Sequence, residues 1–319
     1  MLDLCPHLFV MDPVDFIQFE GDSTVKLIQE AKKRGFIVYI CTPKDLYVQH
    51  GMGRAKASVA SIQNDQLTVE RKMDIGFDQV SIIWMRKDPP FDMDYVFATY
   101  ILDLAPSQTL VLNRPDSIRN ANEKMFALKW SELGPKTLIT RSISQASHWA
   151  KNLPDRVVIK PWDGNGGRGV LVTHHKDPNF RSMLELLTDN EDQHIVVQQY
   201  IPEILQGDKR IILIDGDPVG WMARVPSESD HRGNMHVGAS VKAFELSNRD
   251  QYICDAIGPT LKQMGLLFVG IDIIGDYLTE INVTSPTGIC EINPMMGICI
   301  EKMITDAALS QLNAIQPIS

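Results

Sequence analysis

What this chain can fold into is constrained most by a change of rhythm near Asn122. Before it, short apolar runs alternate with helical stretches: Leu8-Phe9-Val10-Met11, a helical pattern over residues 23–34 closed by Gly35, then Phe36-Ile37-Val38-Tyr39-Ile40, Val80-Ser81-Ile82-Ile83-Trp84 and Leu110-Val111-Leu112. Strands spaced by helices predict a parallel sheet with covering helices. Ligand loops then belong at the strands' carboxyl ends, where Met11-Asp12-Pro13 and Arg86-Lys87-Asp88-Pro89-Pro90 fall. From Asn122 a helix through Leu133 is followed by many short β-rich runs, among them Val157-Val158-Ile159-Lys160, Val170-Leu171-Val172-Thr173, Ile195-Val196-Val197-Gln198 and Ile211-Ile212-Leu213-Ile214. Gly, Pro and Asp clusters separate them, as in antiparallel hairpins. The fold class is therefore α/β plus α+β. With 319 residues, 44% apolar, the chain can bury two or three compact units. It shows no repeat and no Ser/Gly-rich linker, so the units are expected to pack on one another.

Charge and composition remove several functions. A net charge of −9 argues against a role on nucleic-acid backbones, which call for a basic face. The start, Met1-Leu2-Asp3-Leu4-Cys5, lacks the cationic and apolar parts of a secretory signal, and the greasiest stretch, residues 266–274, is too short for a bilayer and contains Asp272. A cytoplasmic protein with no membrane partner is expected. Five cysteines (Cys5, Cys41, Cys254, Cys290, Cys299) without a C-x-x-C pattern read as reduced thiols, each a small buried hydrophobe. His174-His175 is discounted as a metal pair because neighbours on a strand point to opposite faces.

Three motifs carry chemistry. Gly164-Asn165-Gly166-Gly167-Arg168-Gly169 has the spacing of a dinucleotide fingerprint, but a strand follows it where that motif needs a helix, and the lysine and hydroxyl of a P-loop are missing. It remains a glycine-rich turn between strands, able to bring backbone N–H groups to phosphates, although a plain flexible hairpin is the commoner use. Lys160, just before the turn, and Lys124, at the start of the Asn122 helix, could meet nucleotide phosphates as compact charges. Cations also gather at Asp208-Lys209-Arg210, Arg224 and Arg232-Gly233-Asn234. Scattered surface residues are the ordinary explanation, but stacked hairpins could line one anionic site with them.

The segment from Gly270 to Val283 is the most specific. Glu280 and Asn282 lie two apart and share a strand face. A three-residue loop, Gly275-Asp276-Tyr277, pairs Asp272 with Glu280 and leaves Ile271, Ile273, Thr279, Ile281 and Val283 on the other face; a two-residue loop would mix acids and isoleucines. The first register gathers hard oxygens suited to Mg²⁺ on nucleotide phosphates. A solvated edge hairpin is the bland alternative. Against it stands the lack of lysine or arginine on that face, a gap a metal would fill.

In order along nearly the whole chain, Val10-Met11-Asp12-Pro13, Trp84-Met85-Arg86-Lys87-Asp88-Pro89-Pro90-Phe91-Asp92, Asn122-Glu123-Lys124, Lys160-Pro161-Trp162-Asp163-Gly164, Gly207-Asp208-Lys209-Arg210 and Thr279-Glu280-Ile281-Asn282-Val283-Thr284-Ser285-Pro286-Thr287 resemble the bacterial glutathione synthetase family. The resemblance implies an N-terminal parallel-sheet domain (1–121) and a two-part ATP-grasp module, a lid or small subdomain (122–200) and a C-terminal subdomain (201–319). It further implies that Lys124, Lys160 and the turn residues Gly164, Asn165, Gly166 and Gly167 bind ATP phosphates, that the backbone of Gln198, Gln199, Tyr200 and Ile201 meets adenine, and that Asp208 meets ribose. By the same likeness Asp272, Glu280 and Asn282 hold Mg²⁺ or Mn²⁺, and Arg210 and Arg224 face the transferred phosphoryl group and the reacting carboxylate. Asp12, Arg86, Arg232, Asn234, Ser285, Pro286 and Thr287 belong with γ-glutamylcysteine and glycine, residues 226–240 with a lid, and the whole with a homo-oligomer, dimer or tetramer. Three departures touch the substrate loops. Cys290 stands where the family has arginine, Ser227-Glu228-Ser229-Asp230-His231 replaces a Gly-Gly pair, and Gly238-Ala239-Ser240 replaces Gly-Gly-Arg. They leave open an ATP-grasp ligase for another acid and amine, and more remotely a noncatalytic ATP-binding switch.

Overall fold

Three sheets follow one another along the chain. The computed structural model describes residues 5–63, 66–70, 72–154, 156–164, 166–226 and 240–315. The first sheet and its helices comprise β1 (His7–Val10), α1 (Ser23–Lys33), β2 (Val38–Cys41), β3 (Leu46–Gln49), β4 (Met52–Gln63), β5 (Gln66–Val69), β6 (Met73–Gly76), β7 (Ile82–Met85), α2 (Met93–Leu102) and β8 (Leu110–Leu112). Strands β2, β1, β7 and β8 lie side by side and parallel, with Val10 beside both Cys41 and Met85. That register puts the loops after β1 and β7 next to each other. Helix α1 forms where expected because the Asp22 carboxylate caps the N–H groups of Thr24 and Val25 at 2.6 and 3.2 Å. It stops where Gly35 adopts a φ of +82°.

A purely parallel sheet needs correction. Strand β4 joins β2 antiparallel, and β3, β5 and β6 all pair with β4. The buried residues of β4 include Ala55, Ala57 and Ala60, which carry little strand propensity of their own. The signal for these strands is packing.

Helices α3 (Pro115–Asn120) and α4 (Glu123–Ala127) lead to the second sheet. Asn122 caps α4 through the N–H groups of Lys124 and Met125. The helix expected through Leu133 ends early, and a 3-10 turn over Leu128–Trp130 follows it. The second sheet and its helices are β9 (Thr137–Thr140), α5 (Ile143–Ala150), β10 (Arg156–Pro161), β11 (Leu171–His174), α6 (Phe180–Thr188) and β12 (Ile195–Gln199), with strands in the antiparallel order β11-β10-β12-β9. The third part holds β13 (Asp208–Ile214), β14 (Asp217–Val225), β15 (Ser240–Lys242), α7 (Asn248–Gln263), β16 (Phe268–Ile274), β17 (Tyr277–Asn282), α8 (Ile289–Met296) and α9 (Ile300–Ile315), with strands again antiparallel, β15-β14-β13-β16-β17.

Packing joins the outer parts. Phe9, Leu27 and Leu112 share a buried core with Ile212, Met222, Ile300 and Ile304, so α1 and α9 seal the first sheet to the third. Phe126 and Leu133 pack with Ile271, Leu278 and Ile281, which ties α4 and the turn after it to the third sheet. The second sheet has its own core, including Val157, Ile159, Leu184 and Val197. Each such Ile, Leu or Val contributes about 1.5–3 kcal/mol by leaving water. The second sheet therefore gains its core without its neighbours and meets them across a cleft.

Candidate functional site

The centre of the site is a row of adjacent strands. Arg210 on β13 lies opposite Asp272 on β16, and Asp272 lies opposite Glu280 on β17. The pairing of Asp272 with Glu280 is as expected, but the loop is not. Gly275-Asp276 makes a two-residue turn that pairs Ile274 with Tyr277, and a bulge between Asp272 and Ile273 absorbs one extra residue, Thr279. The bulge moves Leu278 into the buried set with Ile271, Ile273 and Ile281, where Thr279 was expected. Thr279 instead donates its hydroxyl to Asp272 O at 3.0 Å.

The acids do not lack cations, because the adjoining strands supply them. Arg210 donates Nε and Nη2 to the two Asp272 oxygens at 2.6 and 3.0 Å. Arg224 on β14 reaches Asp272 Oδ1 at 3.0 Å and also pairs with Asp208. Asn282 donates Nδ2 to Asp272 Oδ2 at 3.2 Å, which leaves its side-chain carbonyl oxygen as an acceptor for another partner. Burial opposes charge on Asp272, but Arg210 and Arg224 outweigh it and hold its carboxyl down at about 2. Asp208 lacks that balance: burial pushes it up to about 6, Arg224 offsets this in part, and Asp272 repels it. Its Oδ1 is buried without a partner. Lys209, grouped with these cations in sequence, points to the opposite face and binds Asp250 and Gly275 O instead.

Lys124 and Lys160 converge on Glu280 from the other side. Their Nζ atoms lie 3.6 and 3.5 Å from Glu280 Oε1. Burial works against the Glu280 charge, and the two lysines nevertheless keep its pKa low. Lys124 also pairs with Glu123 and donates to Gly164 O at 2.5 Å, which anchors the glycine turn. In that turn Gly166, Gly167 and Gly169 have φ of 64°, 74° and 71°, a region that favours glycine. Asn165 lies outside the described residues. A narrow cleft opens beside the lysines, between the second and third sheets, and its wall includes Ile139, Val196, Gln198 and Leu278. Two of the N–H groups at its back are spent, Gln199 on Lys136 O and Tyr200 on Arg156 O. Ile201 N–H has no partner among the described residues.

The third side is the loop Ser285-Pro286-Thr287. Arg86, 4% exposed, donates Nε to the Thr24 hydroxyl at 3.1 Å and Nη2 to Pro286 O at 2.9 Å. Its Nη1 is buried without a partner, and burial lowers its pKa. Arg210 Nη1 donates to Thr287 O at 3.1 Å, and the Ser23 hydroxyl accepts from Gly288 and Ile289 N–H. The loop is thus clamped by two arginines and a helix start. Asp12 pairs with Lys87 at 2.9 Å and accepts from Asp88 N–H at 2.9 Å, joining the loops after β1 and β7. Sequence reasoning missed Glu123, Ser23 and Thr24; the Asp22-Ser23-Thr24 helix start carried a signal for the last two. Arg232, Asn234 and residues 227–239 of the expected lid lie outside the described residues.

All five cysteines are free; Cys5, Cys41 and Cys254 are buried as expected, but Cys290 and Cys299 are only partly buried, and burial raises the Cys290 thiol to about 11, with Glu291 adding to it. It is a neutral thiol at physiological pH. The two histidines depart from expectation: β11 ends at His174, and the rings stack at 4.3 Å where opposite faces were expected.

Among the described residues no three His, Cys, Asp or Glu side chains are gathered as a metal site. Asp272, Glu280 and the Asn282 carbonyl still fit a divalent cation that takes its remaining ligands from phosphates, the usual arrangement for Mg²⁺. The unpartnered Asp208 oxygen beside them shows that polar capacity is in surplus here. A cation held there would compete with Arg210 and Arg224 for Asp272.

Solved structures share this architecture. An ATP-grasp ligase, PsnB, complexed with a minimal precursor, matches with a TM-score of 0.61 over 97% of this chain and all of its own, at 18% identity. D-alanyl-alanine synthetase A from Vibrio cholerae matches at 0.64 over 98% and 100%, at 12% identity. The fold is that of the ATP-grasp ligases. Family models narrow this: the prokaryotic glutathione synthetase N-terminal domain matches residues 6–119, and the ATP-grasp domain of the same family residues 123–297. A glutathione synthetase from Pseudomonas syringae pv. tomato is 41% identical over 310 residues, 96% of this chain and 97% of its own, and one from Agrobacterium fabrum 41% over 300 residues, 93% and 94%. The chain belongs to the prokaryotic glutathione synthetase family, and it is an ATP-dependent ligase that works with a divalent metal.

Proposed function

We propose that this protein joins γ-glutamylcysteine to glycine, using ATP and Mg²⁺ or Mn²⁺, to give glutathione, ADP and phosphate. The observation that carries the reading is the convergence of Lys124 and Lys160 on Glu280, next to a cleft on one side and the clamped loop on the other. A carboxylate is a poor acyl donor, so the γ-phosphoryl group passes first to the cysteinyl carboxylate and ADP departs. The glycine amine, once deprotonated, attacks the acyl phosphate carbonyl, and the carbonyl–oxygen bond to phosphate breaks. Both steps collect negative charge on oxygens, which fixed cations stabilise by position alone.

Lys124 and Lys160 hold the phosphates, with Gly164, Gly166 and Gly167 closing over them. The free N–H of Ile201 meets adenine at the end of Gln198, Gln199 and Tyr200, and the open oxygen of Asp208 suits a ribose hydroxyl. The metal, held by Asp272, Glu280 and Asn282, neutralises phosphate charge when bound. Arg210 and Arg224 face the transferred group and the carboxylate, and a metal held at Asp272 would compete with their pairing to that acid. Asp12, Arg86, Arg232, Asn234, Ser285, Pro286 and Thr287 place the dipeptide and glycine. Among the described residues no helix is long and apolar enough to cross a membrane, and in this reading the protein is a cytoplasmic homo-oligomer.

Purified protein incubated with ATP, Mg²⁺, γ-glutamylcysteine and a panel of amines, with products read by mass, tests the proposal. Tripeptide from glycine and matched phosphate release are expected. Efficient ligation of a different amine with none of glycine would move the protein to another acid–amine pair. Nucleotide binding with no ligation of any amine would favour a switch.

A further inference from the structure

Three residues with capping side chains stand in a row at the start of α1: Asp22, Ser23 and Thr24. One suffices for a helix, and Asp22 fills that place by accepting from Thr24 and Val25 N–H. The two hydroxyls behind it are buried and are spent outside their own helix. Ser23 Oγ accepts from Gly288 N–H at 3.2 Å and from Ile289 N–H at 3.3 Å. Those groups open α8, whose own N-cap is Gly288, at a φ of +121° and with no side chain to offer. A residue 265 positions away therefore supplies the cap that α8 lacks. Thr24 Oγ1 accepts from Arg86 Nε at 3.1 Å, and the same guanidinium donates Nη2 to Pro286 O at 2.9 Å.

The loop between Arg86 and α8 is held residue by residue. Ser285 donates its hydroxyl to Arg86 O, Pro286 O accepts from the Arg86 side chain, Thr287 O accepts from Arg210, and Gly288 rests on Ser23. Proline has no N–H, so the carbonyl that Arg86 takes is the one backbone group there able to hydrogen-bond. Gly288 is conformationally permissive, and the bonds to Ser23 supply the order it lacks. Arg210, which takes Thr287 O, also grips Asp272. A continuous line thus runs from the start of α1 to the charged row. We infer that Ser23 and Thr24 are positioning residues of the ligation: neither touches a substrate, and both act by holding Arg86 and the Ser285-Pro286-Thr287 loop in register with Arg210. Their burial, at 1% and 4% exposed, keeps them behind the loop. Without the Thr24 hydroxyl, the Arg86 guanidinium retains Pro286 O alone, since its Nη1 has no partner. Lys124, Lys160 and the nucleotide cleft share none of these bonds.

The inference rests on the proposed function, in which that loop places the acid and the amine, and deepens it. Steady-state kinetics on the full chain, with the acid–amine pair it ligates, are read beside ATP binding by calorimetry and stability by urea unfolding. Thr24→Val is expected to raise KM for the acid or the amine about tenfold and to leave ATP affinity within about twofold. Thr24→Ser keeps the hydroxyl and is expected to return KM to within about threefold of the wild type. Ser23→Ala should show the same split, and it carries the test should Thr24→Val not fold. Ser247→Ala, which removes the cap of α7, is expected to cost stability and leave both KM values alone. If Thr24→Val and Ser23→Ala behave like Ser247→Ala, or if Thr24→Ser is as impaired as Thr24→Val, the two hydroxyls serve folding only and the inference falls by itself. A wild-type protein that ligates no acid to any amine would instead overturn the proposed function, and this inference with it.

Discussion

Removing the Asp272 side chain should cost more than any other single truncation in the site. Its carboxylate accepts from Arg210 at 2.6 and 3.0 Å, from Arg224 at 3.0 Å and from Asn282 at 3.2 Å, in a position 5% exposed. A carboxyl held at about 2 in the fold against about 3.9 in the unfolded chain stabilises by about 2–3 kcal/mol. Because the folded value is the lower one, that contribution is present above about pH 4 and is lost as the pH falls through about 2. The comparison is only between charged and protonated Asp272 in place. Asp272→Ala also strands two guanidinium groups, 8% and 7% exposed, and breaking a buried pair in this way costs about 3–5 kcal/mol. Arg224 retains Asp208, which favours the lower end. Urea unfolding at pH 7.5 without nucleotide, followed by circular dichroism and tryptophan fluorescence, measures the loss. Adding Arg210→Met should recover at least about 1 kcal/mol, since one stranded charge goes with it. A loss below about 1 kcal/mol, or a double variant no more stable than Asp272→Ala, would show that the arginines do not depend on this acid.

Three other outcomes are expected. His7, fully buried and accepting from Trp84 Nε1 at 3.2 Å, is lowered to about 3 by burial, with Arg34 adding to it. Its folded value lies below the unfolded one, so stability is complete above about pH 6.5 and falls with acid, by about 2 kcal/mol at pH 5; thermal unfolding between pH 5 and 8 should show this, and His7→Gln should flatten that part of the slope. Lys160→Ala should weaken ATP binding about tenfold or more, and Glu280→Gln should lower kcat on the order of a hundredfold with a smaller change in ATP affinity, so steady-state kinetics that reversed this split would contradict the assigned roles. Gly216→Ala should destabilise by about 2 kcal/mol or more, because the new Cβ sits 2.6 Å from Gly258 O at a φ of +89°, whereas Gly51→Ala, with open space around it at a φ of +77°, should cost only about 1–2 kcal/mol in the same urea titration.

How far the sequence spoke for the structure depended on whether its signal was local. Apolar runs and caps are local, so β1, β2, β7 and β8, and the starts of α1 and α4, fall close to their expected places. The antiparallel extension over β3–β6 is organised by β4, whose buried positions include Ala55, Ala57 and Ala60, residues whose strand preference appears only once they are packed. The Asp272–Glu280 pairing was legible from the segregation of acids and isoleucines, but the turn and bulge that produce it were not, because a bulge trades one local geometry for another with the same outcome further along.

The electrostatic error is the more instructive one. A hairpin read by itself has no cation on its acidic face, and a metal then looks necessary. The register of β13 and β14, a long-range property, brings Arg210 and Arg224 against that face. Four acids (Glu123, Asp208, Asp272, Glu280) and four cations (Lys124, Lys160, Arg210, Arg224) therefore balance before any ligand arrives. A nucleotide alone upsets that balance on one side and divalent metal alone on the other, while the two together disturb it less than the nucleotide does by itself. Nucleotide and metal are thus expected to bind cooperatively: titration calorimetry should find ATP affinity raised by the cation, and the cation's affinity raised by ATP through the same factor. Unchanged ATP affinity with and without the metal would mean that the lysines act independently of Glu280 and its neighbours, and that the charge balance around them plays no part in loading the site.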